Sequence, residues 1–281
     1  MSDLNNFLNK LNFNNQAILD AFKRDCLKGE PSSLIRLGDG EAKILGQAQK
    51  NNPNTVERQL KIWFGDRDFS NSEINEIRSD LLDSVIKAKY ICAPTPERTF
   101  RLNPDDSFTN DANHCQELWR VLKEVRSFPA EKYVGSAVIH KHAQISKWFS
   151  EIFKLDRKFI FVTRSTKAIF RIAEAFSLRS FEAHILPGES WSRKERTSSH
   201  FPVRYRQVRD ALGSPSTEGA IALIGGGILA KTYCRDVENA GGMAFDCGAL
   251  FDGWADEVPE QRRANMGDLK KMSVGYLSSS T

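Results

Sequence analysis

The chain has 281 residues, 40% of them hydrophobic and 27% charged, with a formal net charge of +4. This is the make-up of an ordinary globular protein with a core of normal size, and no apolar run approaches the ~20 residues needed to span a bilayer. So small a charge gives no ground for nucleic-acid binding.

The polar, Asn-rich start offers no apolar segment of the kind a secretory signal needs, so the expectation is a soluble, cytoplasmic chain. Five cysteines (Cys26, Cys92, Cys115, Cys234, Cys247) stand without any C-x-x-C pair, which argues against a disulfide framework and a zinc ribbon. Residues 1–12 and 277–281 are expected to fray, and between them nothing marks a linker, so residues 1–281 are read as one domain.

Short apolar runs bounded by Gly, Pro or polar residues predict strands at Ser33–Leu37, Tyr90–Ala93, Val134–Ile139, Phe159–Thr163, Ala183–Leu186, Ala220–Ile224 and Met243–Asp246. Amphipathic stretches lie between them. Ser70 and Glu73 form a capping-box pattern ahead of Ile74, Ile77, Leu81 and Val85. Ile145, Trp148, Phe149 and Ile152 form a second stripe, and Ile169, Ile172, Ala173 and Phe176 a third; all three read as core packing. Strand–helix alternation predicts an α/β fold: a doubly wound, mostly parallel, Rossmann-like sheet with helices on both faces. Ligands in such sheets bind at the carboxyl ends of the strands.

One of those ends is Arg36-Leu37-Gly38-Asp39-Gly40-Glu41. Asp39 and Glu41, separated by flexible Gly40, are placed to turn two hard oxygen ligands toward one Mg²⁺ or Mn²⁺ ion, which would take its other ligands from a substrate phosphate. The alternative is a helix start, with Asp39 as cap and Glu41 favoured by the helix dipole. At Gly225, Gly226 and Gly227 a strand turns into a helix carrying Lys231. This G-x-G-x-x-A spacing suits a phosphate, or equally a dinucleotide with Asp246 further on, or only close packing. Arg164 and Ser165 end another strand, as diphosphate contacts or as an ordinary surface cation and helix cap.

Glu189 follows a strand, where a base for an acceptor hydroxyl would stand, with Asp246 and His200 as competitors; His200 could also contact a phosphate. His140 and His142 lack the acids or cysteines that would complete a metal site and read as structural or rim residues. Trp63 and Trp254 are core residues or stacking platforms for a base or sugar. Arg193 to Arg209 holds six Lys or Arg against one acid, Glu195. It is a solvated face, a loop over an anionic substrate, or a peripheral contact with the inner face of a membrane.

The string Arg36–Glu41, with Leu45-Gly46-Gln47 after it, resembles the N-terminal motif of the GT-D-fold glycosyltransferases. The unit Gly225–Lys231 followed by Gly242–Gly248 resembles that family's closing strand–turn–helix–strand segment. The resemblance implies a UDP-sugar donor, a divalent metal on Asp39 and Glu41, and a glycan, lipid-linked glycan or protein acceptor. It leaves two rivals: an NAD(P)-dependent oxidoreductase built on the Gly225 turn, and a non-catalytic nucleotide- or glycan-binding subunit.

Overall fold

The computed structural model describes residues 2–46, 53–65, 67–100, 109–129, 132–187, 200–260, 263 and 266–279. Eight strands form one sheet: β1 (Asn12–Phe13), β2 (Ser32–Arg36), β3 (Tyr90–Ala93), β4 (Tyr133–Ser136), β5 (Phe159–Thr163), β6 (Phe181–Ile185), β7 (Ile221–Ile224) and β8 (Met243–Asp246). Their order is β1-β4-β3-β2-β8-β7-β5-β6, and every pairing is parallel. A parallel sheet has to be covered on both faces, because its connections lay helices over it.

The side chains show that cover directly. Ile35, Val162, Ile160, Ala222, Ile224 and Ala244 enter one core, while their neighbours Leu34, Phe161, Phe159, Ile221, Leu223 and Phe245 enter the other. The first face is closed by α3 (Asp39–Gly46), α4 (Pro53–Phe64), α5 (Asn71–Lys87), α7 (Thr109–Val125), α11 (Tyr205–Leu212) and α12 (Ala230–Asn239). The second is closed by α2 (Asn15–Lys28), α8 (Ile139–Ile145), α9 (Trp148–Ile152), α10 (Thr166–Phe176) and α13 (Leu250–Trp254). The doubly wound expectation holds.

The expected capping box is present, with Ser70 Oγ accepting from Glu73 N and the Glu73 carboxylate accepting from Ser70 N. Two local expectations change. The strand expected over Val134–Ile139 stops at Ser136, and Ile139 opens α8. The stripe from Ile145 to Ile152 spans two short helices, broken at Lys147, whose φ of 57° is left-handed, and Ile145 is exposed. The ends expected to fray also carry buried side chains: Leu4 and Leu8 of α1 (Ser2–Leu8) at one end and Leu277 at the other. All five cysteines are buried and none forms a disulfide. No described helix is long and apolar enough to cross a membrane.

From β2 the chain steps outward through β3 to β4; later β7 and β8 step inward until β8 pairs with β2. The carboxyl ends of β2 and β8 therefore meet where the two halves of the sheet join, the usual place for a ligand crevice. Above that join, α12 is anchored by ions. Arg235 reaches Asp83 at 2.9 Å and Asp80 at 3.3 Å, and Arg209 reaches Asp236 at 2.7 Å and Asp80 at 2.9 Å.

Candidate functional site

Four residues quoted separately from the sequence converge at the join. Arg36, the last residue of β2, donates from Nε to the Asp246 carbonyl at 2.8 Å, and its guanidinium lies 3.5 Å from Asp246 Oδ1. Lys231, one turn beyond the Gly225 turn, puts its ammonium 2.5 Å from Glu41 Oε1 and 3.0 Å from Asp246 Oδ2. It also donates to the Gly227 carbonyl at 3.2 Å. Arg36, Asp246, Lys231 and Glu41 thus form one charge-balanced cluster made by β2, β8, α12 and α3.

Burial sets the electrostatics. Lys231 is 3% exposed. Burial by itself would discharge it, yet Asp246 and Glu41 outweigh that and raise it above the ordinary lysine range. Burial would likewise protonate Asp246, but Lys231 and Arg36 hold its carboxyl below the usual range. The cluster is a charged, interlocked unit with a fifth member, His140, which reads from the sequence as a structural or rim residue without its partner. His140 Nδ1 accepts from Arg36 Nη1 at 2.6 Å, and burial, with Arg36, Lys141 and Lys231 beside it, pushes the imidazole well below its usual range. A neutral ring is what an acceptor facing an arginine requires. Only its position after a strand end signalled His140.

The metal pair expected at Asp39 and Glu41 is not formed. Glu41 Oε2 accepts from the Gly38 backbone at 2.7 Å, closing the first turn of α3, while Oε1 is taken by Lys231. Asp39 is half-exposed and pairs with Lys43 at 3.2 Å. Of the two expectations for this turn, the helix start has Glu41 in its service. Among the described residues no group of three or more His, Cys, Asp or Glu side chains could hold a metal ion. With Lys231 seated on Glu41 and Lys43 on Asp39, these carboxylates as paired here do not fit a divalent ion.

The glycine turn serves packing. A side chain at Gly225 would meet Phe251 at 2.6 Å, one at Gly226 would meet Tyr233 at 3.2 Å, and one at Gly227, where φ is +60°, would enter the Trp63 ring. The space those glycines leave is filled by protein, which also removes the geometric case for a dinucleotide there. Asp246, fully buried under Lys231, is not presented to a ribose or to an acceptor hydroxyl. Arg164 is committed to Asp252 at 2.8 Å, and Ser165 caps α10 by accepting from Ala168 N at 3.2 Å. His200 is buried against Tyr233, Nε2 to hydroxyl 2.6 Å, inside an aromatic group with Phe64. Trp254 is core, donating to Gln144. Glu189 and Arg193 to Ser199 lie outside the described residues; of the basic stretch that follows, Arg206 pairs with Glu76 and Arg209 with Asp80 and Asp236.

Two features mark this edge. The indole Nε1 of Trp63 is buried without a hydrogen-bond partner among the described residues, beside Gly40 of the D-G-E turn. Lys141, on α8, is held below the ordinary lysine range by burial and by the cations Arg36 and Arg98. An apolar groove of about 590 Å³ lies elsewhere, after β6, lined by Ile185, Leu186, Pro187, Phe201, Val203 and Gln207 among others.

No curated protein matches the chain. Solved structures do. The chain resembles a selenomethionine-substituted structure of domain of unknown function 1792, with 16% identity, TM-score 0.54, and coverage of 94% of this chain and 85% of that one. It is equally similar to a structure of that domain described as having a distinct glycosyltransferase fold (14%, TM-score 0.53, 88% and 81%). A third is a glycosyltransferase of the same domain class from Streptococcus sanguinis (17%, TM-score 0.55, 88% and 83%). At these identities the likeness is one of fold. The family model for the GT-D fold-like domain matches residues 13–254, so the chain belongs to the GT-D fold-like domain family and is a glycosyltransferase.

Proposed function

We propose that this glycosyltransferase takes its sugar from a nucleotide-diphosphate donor, a UDP-sugar first, bound over the carboxyl ends of β2, β3, β4 and β8. The observation that carries the reading is the basic character of that edge, where Arg98 and Lys141 stand near the buried Arg36 cluster. The indole N–H of Trp63, buried without a partner among the described residues, supports it, because such a donor is costly unless a ligand oxygen completes it.

The acceptor is a glycan, a lipid-linked glycan or a protein, and the proposed acceptor side is the apolar groove after β6. Glu189, which follows that strand in sequence, is the proposed base, since its competitor Asp246 is locked by Lys231. Residues 1–281 act as one catalytic domain in the cytoplasm, and no nucleic acid takes part.

The test is thermal stability of the full chain against UDP, UDP-sugars, GDP, CMP and NAD⁺. A ligand binding only the folded state adds about 2.7 kcal/mol at a hundredfold excess over its dissociation constant. Stabilisation by a nucleoside diphosphate is expected, weakened by about threefold to tenfold in affinity in Trp63→Phe, which removes one hydrogen-bond donor and keeps a ring over Gly227. Stabilisation by NAD⁺ alone would reverse the reading.

A further inference from the structure

The D-G-E turn carries its own cation. Glu41 and Asp246 both direct a carboxylate oxygen at the Lys231 ammonium, 2.5 and 3.0 Å away, and the Gly227 carbonyl accepts from the same nitrogen at 3.2 Å. Two carboxylates and a carbonyl around one centre is a donor set that a hard divalent ion would take. Here a side chain from α12 holds the centre.

Three further facts keep an ion out. The second oxygen of Glu41 is spent on the Gly38 N–H. Asp39, the other carboxylate of the string, faces Lys43 and is half-exposed. The charges of Glu41 and Asp246 are already balanced by Lys231 and Arg36, so an entering divalent ion would have to expel a buried ammonium or sit against it.

We propose that the Lys231 ammonium stands in this chain for the divalent ion of the D-x-E turn, and that nucleotide-sugar donor binding is independent of Mn²⁺ and Mg²⁺. The proposal rests on the donor reading above. Lys231 keeps the two carboxylates charged and fixed with Arg36 locked beside them, and the diphosphate is met by Lys141 and Arg98 at the rim.

The experiment is a UDP titration of the full wild-type chain by calorimetry, in EDTA and in Mn²⁺, with Mn²⁺ alone followed by electron paramagnetic resonance. The expected result is a UDP affinity that changes by less than about threefold between the two buffers, well short of the factor of ten that 1.4 kcal/mol would give. Mn²⁺ added alone is expected to keep its free-ion spectrum. Tightening by tenfold or more with Mn²⁺ would overturn the proposal and leave the donor reading standing, whether or not Glu41→Gln abolishes it. Absence of UDP, GDP and CMP binding in both buffers would remove the donor reading and this proposal with it. Lys231→Met, checked for folding by circular dichroism, is expected to lose at least tenfold in UDP affinity in EDTA; a folded variant of undiminished affinity would overturn the assignment to Lys231.

Discussion

A buried ammonium between two carboxylates contributes little net stability, because desolvating three charges offsets most of their attraction. Removing one partner is a different matter. Lys231→Met leaves Glu41 and Asp246 buried with only Arg36, beside Asp246, as the cation of the cluster, and the expected cost is about 3–5 kcal/mol in urea denaturation. A loss below about 1 kcal/mol would mean that the cluster is not closed in solution. The members of this cluster were legible one by one, since each stands at a strand end or on a Gly turn. Their pairing was not. Glu41 and Lys231 are about two thirds of the chain apart in sequence, and only the β2–β8 adjacency brings them together. Without that adjacency, Asp39 and Glu41 look like partners because they are neighbours in sequence, although the first turn of α3 sends one outward and the other inward.

Elements show the same division between local and distant information. Tyr90–Ala93, Phe159–Thr163 and Met243–Asp246 are strands as read, because an apolar run buried on both faces carries its own signal. β1 has two residues and no such signal, and the left-handed turn at Lys147 has no sequence marker, since lysine rarely takes that conformation. The loop after β8 is the element on which the site depends most. Asp246 Oδ1 accepts from Gly248 N at 3.1 Å, Gly248 has φ of +53°, and a Cβ there would strike the Arg36 guanidinium. Gly248→Ala is therefore expected to cost about 1–3 kcal/mol and to drive Arg36 off Asp246. Comparing its unfolding free energy and UDP affinity with wild type checks this; a variant unchanged in both would show that the loop does not fix Arg36.

For the molecule as a whole, the buried charges set the pH range over which the fold is stable. Lys231 is raised in the folded state, so its contribution is present below the unfolded lysine value of about 10.4 and is lost as pH rises through the folded value. Asp246 is lowered, so its contribution is present above about 3.9 and is lost only as pH falls through the still lower folded value. His140 governs the interval between. Its folded value lies well below the unfolded value of about 6.5, so on acidification the unfolded chain takes up that proton first. Stability then falls as pH drops below about 6.5, by at most about 1.4 kcal/mol per pH unit for one proton. His184 is also lowered, by burial, and adds to the same slope. His140→Gln keeps an oxygen to accept from Arg36 but cannot titrate, so the slope between pH ~5 and ~6.5 should flatten by up to one proton's worth while stability at neutral pH changes less. Urea denaturation of both proteins across that range measures it directly. An unaltered slope in His140→Gln would mean that the imidazole titrates in the folded protein as it does in the unfolded chain, and that the lowered, neutral acceptor assigned to it is wrong.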